Sequence, residues 1–350
     1  MLKKKLWQRE KKKQLRINKI GGKIMENKLI VSSSPHIRSN EDTSYIMKQV
    51  IIALLPAALA GLVYFRLSAL NAMFFCILGS VGSEYLYQKI TKQDTTIGDL
   101  SAVVTGLLLA FNVPASLSWW MCLVGGAFAI IVVKMVFGGI GNNFLNPALA
   151  ARAFLLASFP VAMTAWTKPG VNWVSSQNID AVTTATPLGI LKSGAEGTSI
   201  LAENGISMTD MLIGNIGGCI GETSALLILL GGVYLIYKGI ILYIIPVTYI
   251  STVAILMLIL GGFNIEFMIY ELLAGGLMLG AFFMLTDYTT SPMTKKGQII
   301  YAVVAGIITT VIRLYGGYPE GVSYSILFAN VMTPLIDKYT KTRVFGEVAK

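Results

Sequence analysis

One histidine and three cysteines in 350 residues leave little with which to hold a metal redox centre. His36 alone cannot supply both axial ligands of a bis-His haem. Cys76, Cys122 and Cys219 stand far apart, each in an apolar run, and no CxxC or iron–sulfur spacing occurs. They read as small buried residues. Charge is scarce too. Charged residues make up 13% of the chain and hydrophobic residues 54%, where an ordinary soluble domain carries roughly 25% charged. A soluble protein of this size could not cover its surface with so few charges. With a mean hydropathy of +0.67, the chain reads as an all-α polytopic membrane protein.

The net charge of +10 would by itself suggest a nucleic-acid partner. Its distribution excludes that reading. Residues 1–24 carry ten Lys/Arg against the single acid Glu10, so that the remaining residues are close to neutral. This basic arm has no continuous apolar core and no cleavage site, so it is not a secretory signal. Two readings stand for it: a start codon placed too early, with Met25 as the true start, or an arm lying on anionic lipid.

Apolar runs alternate with short polar links from residue 49 onward. Candidate spans are 49–65, 69–87, 100–113, 118–137, 146–163, 211–236, 240–261, 267–286, 298–315 and 322–337, about ten in all. Several are shorter than the ~20 residues of a straight span, which points to short or broken helices. The expected organisation is a cytoplasmic segment 1–48, a first bundle 49–163, a loop 164–210, a second bundle 211–337 and a tail 338–350. GDLSA at 98–102 and GETSA at 221–225 hint at a two-fold internal repeat.

Lys/Arg asymmetry orients the bundle. With the N-terminus inside, the inner links and tail hold Lys89, Lys92, Lys134, Lys238, Lys295, Lys296, Lys338, Lys341, Arg343 and Lys350, against Arg66, Lys168, Lys192 and Arg313 outside. Both termini are then cytoplasmic, and the long loop 164–210 is extracytoplasmic. Long loops in compact domains are often functional.

That loop contains Asn178-Ile179-Asp180-Ala181-Val182-Thr183-Thr184-Ala185-Thr186-Pro187-Leu188-Gly189. Thr186 before Pro187 reads as an N-cap with proline at the first helical position, and a helix start offers free N–H groups to a phosphate. The plain reading is an ordinary capped helix.

Asp-x-x-Thr-x-Ala-Thr resembles the acceptor sequence of flavin transferases, which attach FMN through its phosphate to the last Thr. Further blocks accompany it: Ser34-Pro35-His36; Gly138-Gly139-Ile140-Gly141-Asn142-Asn143-Phe144-Leu145-Asn146-Pro147-Ala148 with Arg152-Ala153-Phe154-Leu155; Gly221-Glu222-Thr223-Ser224-Ala225; Thr286-Asp287-Tyr288-Thr289-Thr290-Ser291-Pro292; and Tyr318-Pro319-Glu320-Gly321-Val322-Ser323-Tyr324. Six patterns in order over residues 30 to 340 resemble the RnfD/NqrB family. The likeness is to its RnfD branch, from the Rnf complex, and more distantly to its NqrB branch, from the Na+-translocating NADH:quinone reductase. The latter has a longer cytoplasmic N-terminal segment than the 48 residues here, which favours the Rnf reading. A non-redox ion or solute channel is the alternative of another class; such a channel has no reason to carry the acceptor sequence.

The resemblance implies a membrane redox subunit of an ion-translocating ferredoxin:NAD+ oxidoreductase in the bacterial inner membrane, relaying electrons and coupling them to Na+ or H+ movement. It implies FMN esterified to Thr186, with Asp180, Thr183 and Ala185 read by the flavin transferase. The residue before Ala185 is often Gly in such acceptors; here it is Thr184, so Thr183 and Thr184 are alternative acceptors, though position favours Thr186. It also implies a second, noncovalent flavin (riboflavin), with Asn142, Asn143 and Asn146 as candidate contacts. Partner subunits would carry Fe–S clusters, flavin and the NAD site. The residues themselves also permit plainer roles: an Asx turn for Asp180, helix capping for the asparagines, docking for His36. Glu222 and Asp99, ionisable groups in or beside apolar runs, are candidates for an ion path. Glu222 otherwise reads as a buried carboxylate satisfied by backbone or Arg152, and Asp287 and Glu320 as gate or subunit contacts at opposite faces.

Overall fold

The computed structural model describes residues 41–167, 169, 186–192, 196–222, 224–317 and 320–341. Within them the chain is helical, with fourteen α-helices and no strand. Helix α1, Thr43–Thr91, is a hairpin that joins the expected spans 49–65 and 69–87. Arg66 breaks it with φ 55°, a left-handed conformation that L-residues rarely adopt. Met73 packs on Gly61 across the turn, and the Ser44 hydroxyl donates to the Gly98 carbonyl beyond the other end. Each arm exceeds the ~20 residues that a membrane core requires.

Helices α2 (Ser101–Phe111) and α3 (Trp119–Phe128) pack on that hairpin. Their contact is made through glycine. A Cβ on Gly106 would stand 2.7 Å from Ile77 Cα, one on Gly126 2.7 Å from Cys76 O, and one on Gly79 2.6 Å from Leu123 O. Small residues that let backbones touch are the usual solution where lipid removes the hydrophobic drive between helices. Helix α3 continues as a π-helical turn, Ala129–Met135, which carries Lys134. Helix α4, Pro147–Ser158, starts on Asn146, whose side chain accepts from the N–H groups of Ala148 and Leu149; the short α5, Pro160–Met163, follows.

On the loop lie α6 (Pro187–Leu191), α7 (Glu196–Glu203) and α8 (Met208–Ile213). The remaining helices are α9 (Ala225–Tyr237), α10 (Ile244–Leu260), α11 (Ile265–Leu273), α12 (Leu277–Leu279, running into a π-helical turn Gly280–Met284), α13 (Lys295–Tyr315) and α14 (Val322–Tyr339). Tyr249, Thr309 and Ser325 form a buried hydroxyl chain, 2.8 and 2.7 Å, that joins α10, α13 and α14. A large apolar surface faces outward, including Val63, Phe74, Leu230, Ile255 and Val331. With no water to satisfy a backbone in lipid, helices are the form such a surface permits.

Two expectations about spans change. Residues 211–236 are not one helix: α8 ends at a left-handed Gly214, and a 3-10 turn Ile220–Glu222 precedes α9. The run 267–286 is likewise broken: its two helical parts bend by 64° around Gly275 and Gly276, both of positive φ. The paired motifs share a local form. Ile97–Asp99 and Ile220–Glu222 are both 3-10 turns entering apolar helices, with Asp99 and Glu222 at matching positions.

Candidate functional site

Thr186 is described where the acceptor sequence ends, and it is an N-cap. Its Oγ1 accepts the Gly189 N–H at 3.1 Å, with Pro187 at the first helical position. The helix it caps has only five residues, so the expected phosphate-binding helix start is no more than a single turn. The residue is 5% exposed. Leu188 packs on Gly275, and Lys192 Nζ donates to the Gly316 and Gly317 carbonyls past the end of α13. The acceptor end of the loop is thus seated on the bundle. Asp180, Thr183, Ala185 and His36 lie outside the described residues.

The three asparagines divide. Asn142 is exposed, and its side chain donates within its own loop to Gly138 O. Asn143 and Asn146 are buried. Asn143 holds the Leu145 carbonyl at 3.0 Å, and Asn146 caps α4 while donating to Met284 O at 3.4 Å. Both line a cavity of about 370 Å³. Its wall is largely apolar, with Val50, Leu108, Leu235 and Phe283, and its polar groups converge from Ser101, Thr105, Lys134, Thr286 and Asp287. That volume and mixture are those of a small-molecule site, whose span is roughly 300–1,000 Å³. Asp287 belongs to this wall, is half-buried, and accepts from Thr290 Oγ1 at 3.2 Å.

A second polar cluster surrounds Glu222, which is 9% exposed. Its turn is wedged against α2: a Cβ on Gly221 would meet Phe111 at 2.7 Å. Ligand atoms of Cys219, Glu222 and Glu320 lie within 4.8 Å of one another. Arg152, one of the two partners the sequence offers Glu222, forms its ion pair with Glu320 and donates to Ser323 Oγ and Cys219 Sγ. Glu320 is therefore held by an internal ion pair, with its side chain largely enclosed. A cavity of about 10 Å³, room for one water, lies beside these groups. Asp99 is half-buried; its Oδ1 accepts from Ser101 N and Oγ at 2.8 and 2.6 Å, a capping role at the start of α2.

Two buried ion pairs are not apparent in the sequence. Lys134 Nζ meets Glu84 Oε2 at 2.9 Å, with exposures of 4% and 0%. Arg313 Nη1 meets Glu271 Oε2 at 3.0 Å, likewise enclosed. Lys134 and Arg313 count as link charges by position in the chain; in the structure both are interior. A signal was present: Glu84, Lys134 and Glu271 each sit inside an apolar run, where an ionisable group requires a partner. Removing Lys134 and Arg313 from the count leaves the inner bias as it was, since each side loses one.

The chain matches known proteins along most of its length. Residues 30–346 match the model of the NQR2, RnfD, RnfE family. The chain is 54% identical over 324 residues to the D subunit of the Na(+)-translocating ferredoxin:NAD(+) oxidoreductase complex of Acetobacterium woodii, covering 92% of this chain and 96% of that protein. It is 48% identical to the D subunit of the proton-translocating ferredoxin:NAD(+) oxidoreductase complex of Clostridium ljungdahlii, over 92% and 98% of the two chains. The D subunit of the ion-translocating oxidoreductase complex of Escherichia coli is 34% identical over 90% of this chain and 98% of that protein. The chain is an all-α membrane protein and belongs to the NQR2, RnfD, RnfE family.

Proposed function

We propose that this chain is the membrane redox subunit of an ion-translocating ferredoxin:NAD+ oxidoreductase complex, active only with partner subunits that carry Fe–S clusters, flavin and the NAD site. The observation that carries the proposal is the 54% identity, across 92% of the chain, to a protein named as a component of such a complex. The named relatives differ in their ion, so the coupling ion is Na+ or H+. The chain sits in a bacterial cell membrane with both termini cytoplasmic and the Thr186 loop outside.

FMN is held as a phosphoester on Thr186. The residues present fit that attachment. Oγ1 already serves as an acceptor to Gly189 N–H, a role that an ester oxygen keeps, and Pro187 has no N–H to leave unpaired beside it. When bound, the flavin supplies the electron-carrying ring. The protein anchors it: Lys192 and Leu188 fix the acceptor turn to the bundle. The 370 Å³ cavity at Asn143 and Asn146 suits a second, noncovalent flavin, an apolar slot with convergent amides and hydroxyls. Glu222, enclosed beside Cys219 and Glu320, holds the coupling cation or proton.

The test is in-gel flavin fluorescence after denaturing electrophoresis, with the flavin transferase coexpressed. A fluorescent band at the mass of the chain is expected, and its loss in Thr186→Val. A dark wild-type band would overturn the covalent-flavin reading; fluorescence that survives the substitution would move the acceptor to Thr183 or Thr184.

A further inference from the structure

The buried pair of Glu84 and Lys134 has an orientation with respect to the large cavity. Lys134 forms part of the cavity wall, as does Ser101, whose Oγ accepts from Lys134 Nζ at 2.6 Å. Glu84 stands behind them on α1, outside that wall, and accepts from Nζ at 2.9 and 3.1 Å. It is itself held in place by Thr96 Oγ1 at 3.0 Å and Gln88 Nε2 at 3.3 Å. All three ammonium donors are therefore in use. Lys134 reaches the cavity through its field and not through a hydrogen bond to the occupant.

Both side chains are almost wholly enclosed. Charges in such surroundings interact far more strongly than in water. A dipole fixed in advance also needs no reorganisation when charge appears nearby. Its positive end faces the cavity and its negative end is turned away. Among the described residues, the other charged side chain in the wall is Asp287, tethered separately by Thr290 and the Thr289 N–H. Its field opposes that of Lys134 but is unchanged by substitutions at the pair.

We propose that the Glu84–Lys134 pair is an electrostatic element that favours the reduced, more negatively charged form of a redox ring bound in this cavity. The inference rests on the reading that the cavity holds a noncovalent flavin. Lys134 is then a positioning residue of the field: it sets how readily the ring accepts an electron without touching it. Glu84 limits the effect and holds the ammonium in place.

The two partners make opposite predictions. The full-length chain, carrying Thr186→Val to exclude covalent flavin, is purified in detergent, loaded with riboflavin and titrated reductively while absorbance is followed. Lys134→Gln removes the near positive end, and the bound ring is expected to become harder to reduce, by on the order of tenfold in the reduced-to-oxidised ratio at fixed potential. Glu84→Gln leaves the ammonium uncompensated and is expected to shift that ratio the other way. Lys134→Arg, which keeps the charge, is expected to restore the wild-type ratio. If either single variant fails to fold, the double Glu84→Gln/Lys134→Gln chain removes both charges together and is expected to shift as Lys134→Gln does, by less. Shifts of one sign in both single variants, or no shift while riboflavin stays bound, would overturn the electrostatic role and leave the cavity reading standing. A wild-type cavity that binds no riboflavin would overturn both.

Discussion

The hydroxyl of Thr186 accepts the Gly189 N–H at 3.1 Å, so one oxygen is at once the cap of a helical turn and the proposed site of flavin attachment. The two roles separate by substitution. Thr186→Ser is expected to keep both the cap and in-gel fluorescence. Thr186→Asn is expected to keep the cap and abolish fluorescence. Thr186→Val loses both, at a cost of about 1 kcal/mol for the cap. Fluorescence and thermal unfolding measured on the three variants distinguish the roles.

Arg313 and Glu271 tie α13 to α11 inside the bundle, and Arg313 also donates to the Ala274 carbonyl at 2.9 Å where α11 ends. Arg313→Met is expected to destabilise by about 3–5 kcal/mol, because it strands a buried carboxylate. Adding Glu271→Met is expected to recover part of that loss, although the Ala274 carbonyl stays unpaired. Thermal unfolding of the wild type, both single variants and the double variant in detergent checks this. A double variant no more stable than Arg313→Met would contradict it.

Gly126 and Gly82 offer a contrast in helix packing. A Cβ on Gly126 falls 2.7 Å from Cys76 O and 2.8 Å from Ser80 N, whereas nothing lies within 4 Å of one on Gly82. Gly126→Ala is expected to cost about 1–3 kcal/mol through forced backbone movement. Gly82→Ala is expected to be stabilising by about 0.5–1 kcal/mol through helix propensity. Unfolding midpoints of the two variants should move in opposite directions.

Glu222→Gln is expected to leave flavin content and assembly intact while ion uptake per electron falls to background in proteoliposomes holding the whole complex. Unchanged uptake would remove Glu222 from the ion path. Asp99→Asn serves as the control: its carboxylate caps α2, so loss of stability with retained coupling is the expected pattern.

Asp210 gives a pH dependence on the loop. The Ser207 hydroxyl and N–H hold its carboxyl below the usual carboxylate range, within a reciprocal cap at the start of α8. A carboxylate lowered in the folded state stabilises above its unfolded pKa, and that contribution disappears as pH falls through the lowered value. Amide exchange in Met208–Ile213 should therefore accelerate, after correction for intrinsic rates, as pH drops below the ordinary carboxylate range. Ser207→Ala should flatten the dependence.

Much of this was legible in the residues. Apolar runs gave the helices, and Thr186-Pro187 gave its cap, because both signals are local. The breaks at 214–222 and 274–276 were harder to see. Their backbone is accommodated by tertiary wedging, such as Gly221 against Phe111, which no local pattern encodes. The partners of charged residues were hidden for the same reason. Glu84 and Lys134 are fifty positions apart, and Arg152 and Glu320 further still, so spacing says nothing of their meeting. Lys134, inside the run 118–137, signals that it needs a partner, but not that the partner is Glu84 on another helix.

The glycine contacts among α1, α2 and α3 restrict how the molecule moves. Where backbones touch directly, there is no layer of side chains to change rotamer and let one helix slide past another. The α1 hairpin, α2 and α3 are therefore bound to travel as one rigid block. Outside that block the helical runs are interrupted at 214–222 and 274–276; the first contains Glu222, and the second lines the small cavity beside it. Bending at either interruption would therefore displace backbone next to Glu222 while leaving the glycine-packed helices unchanged.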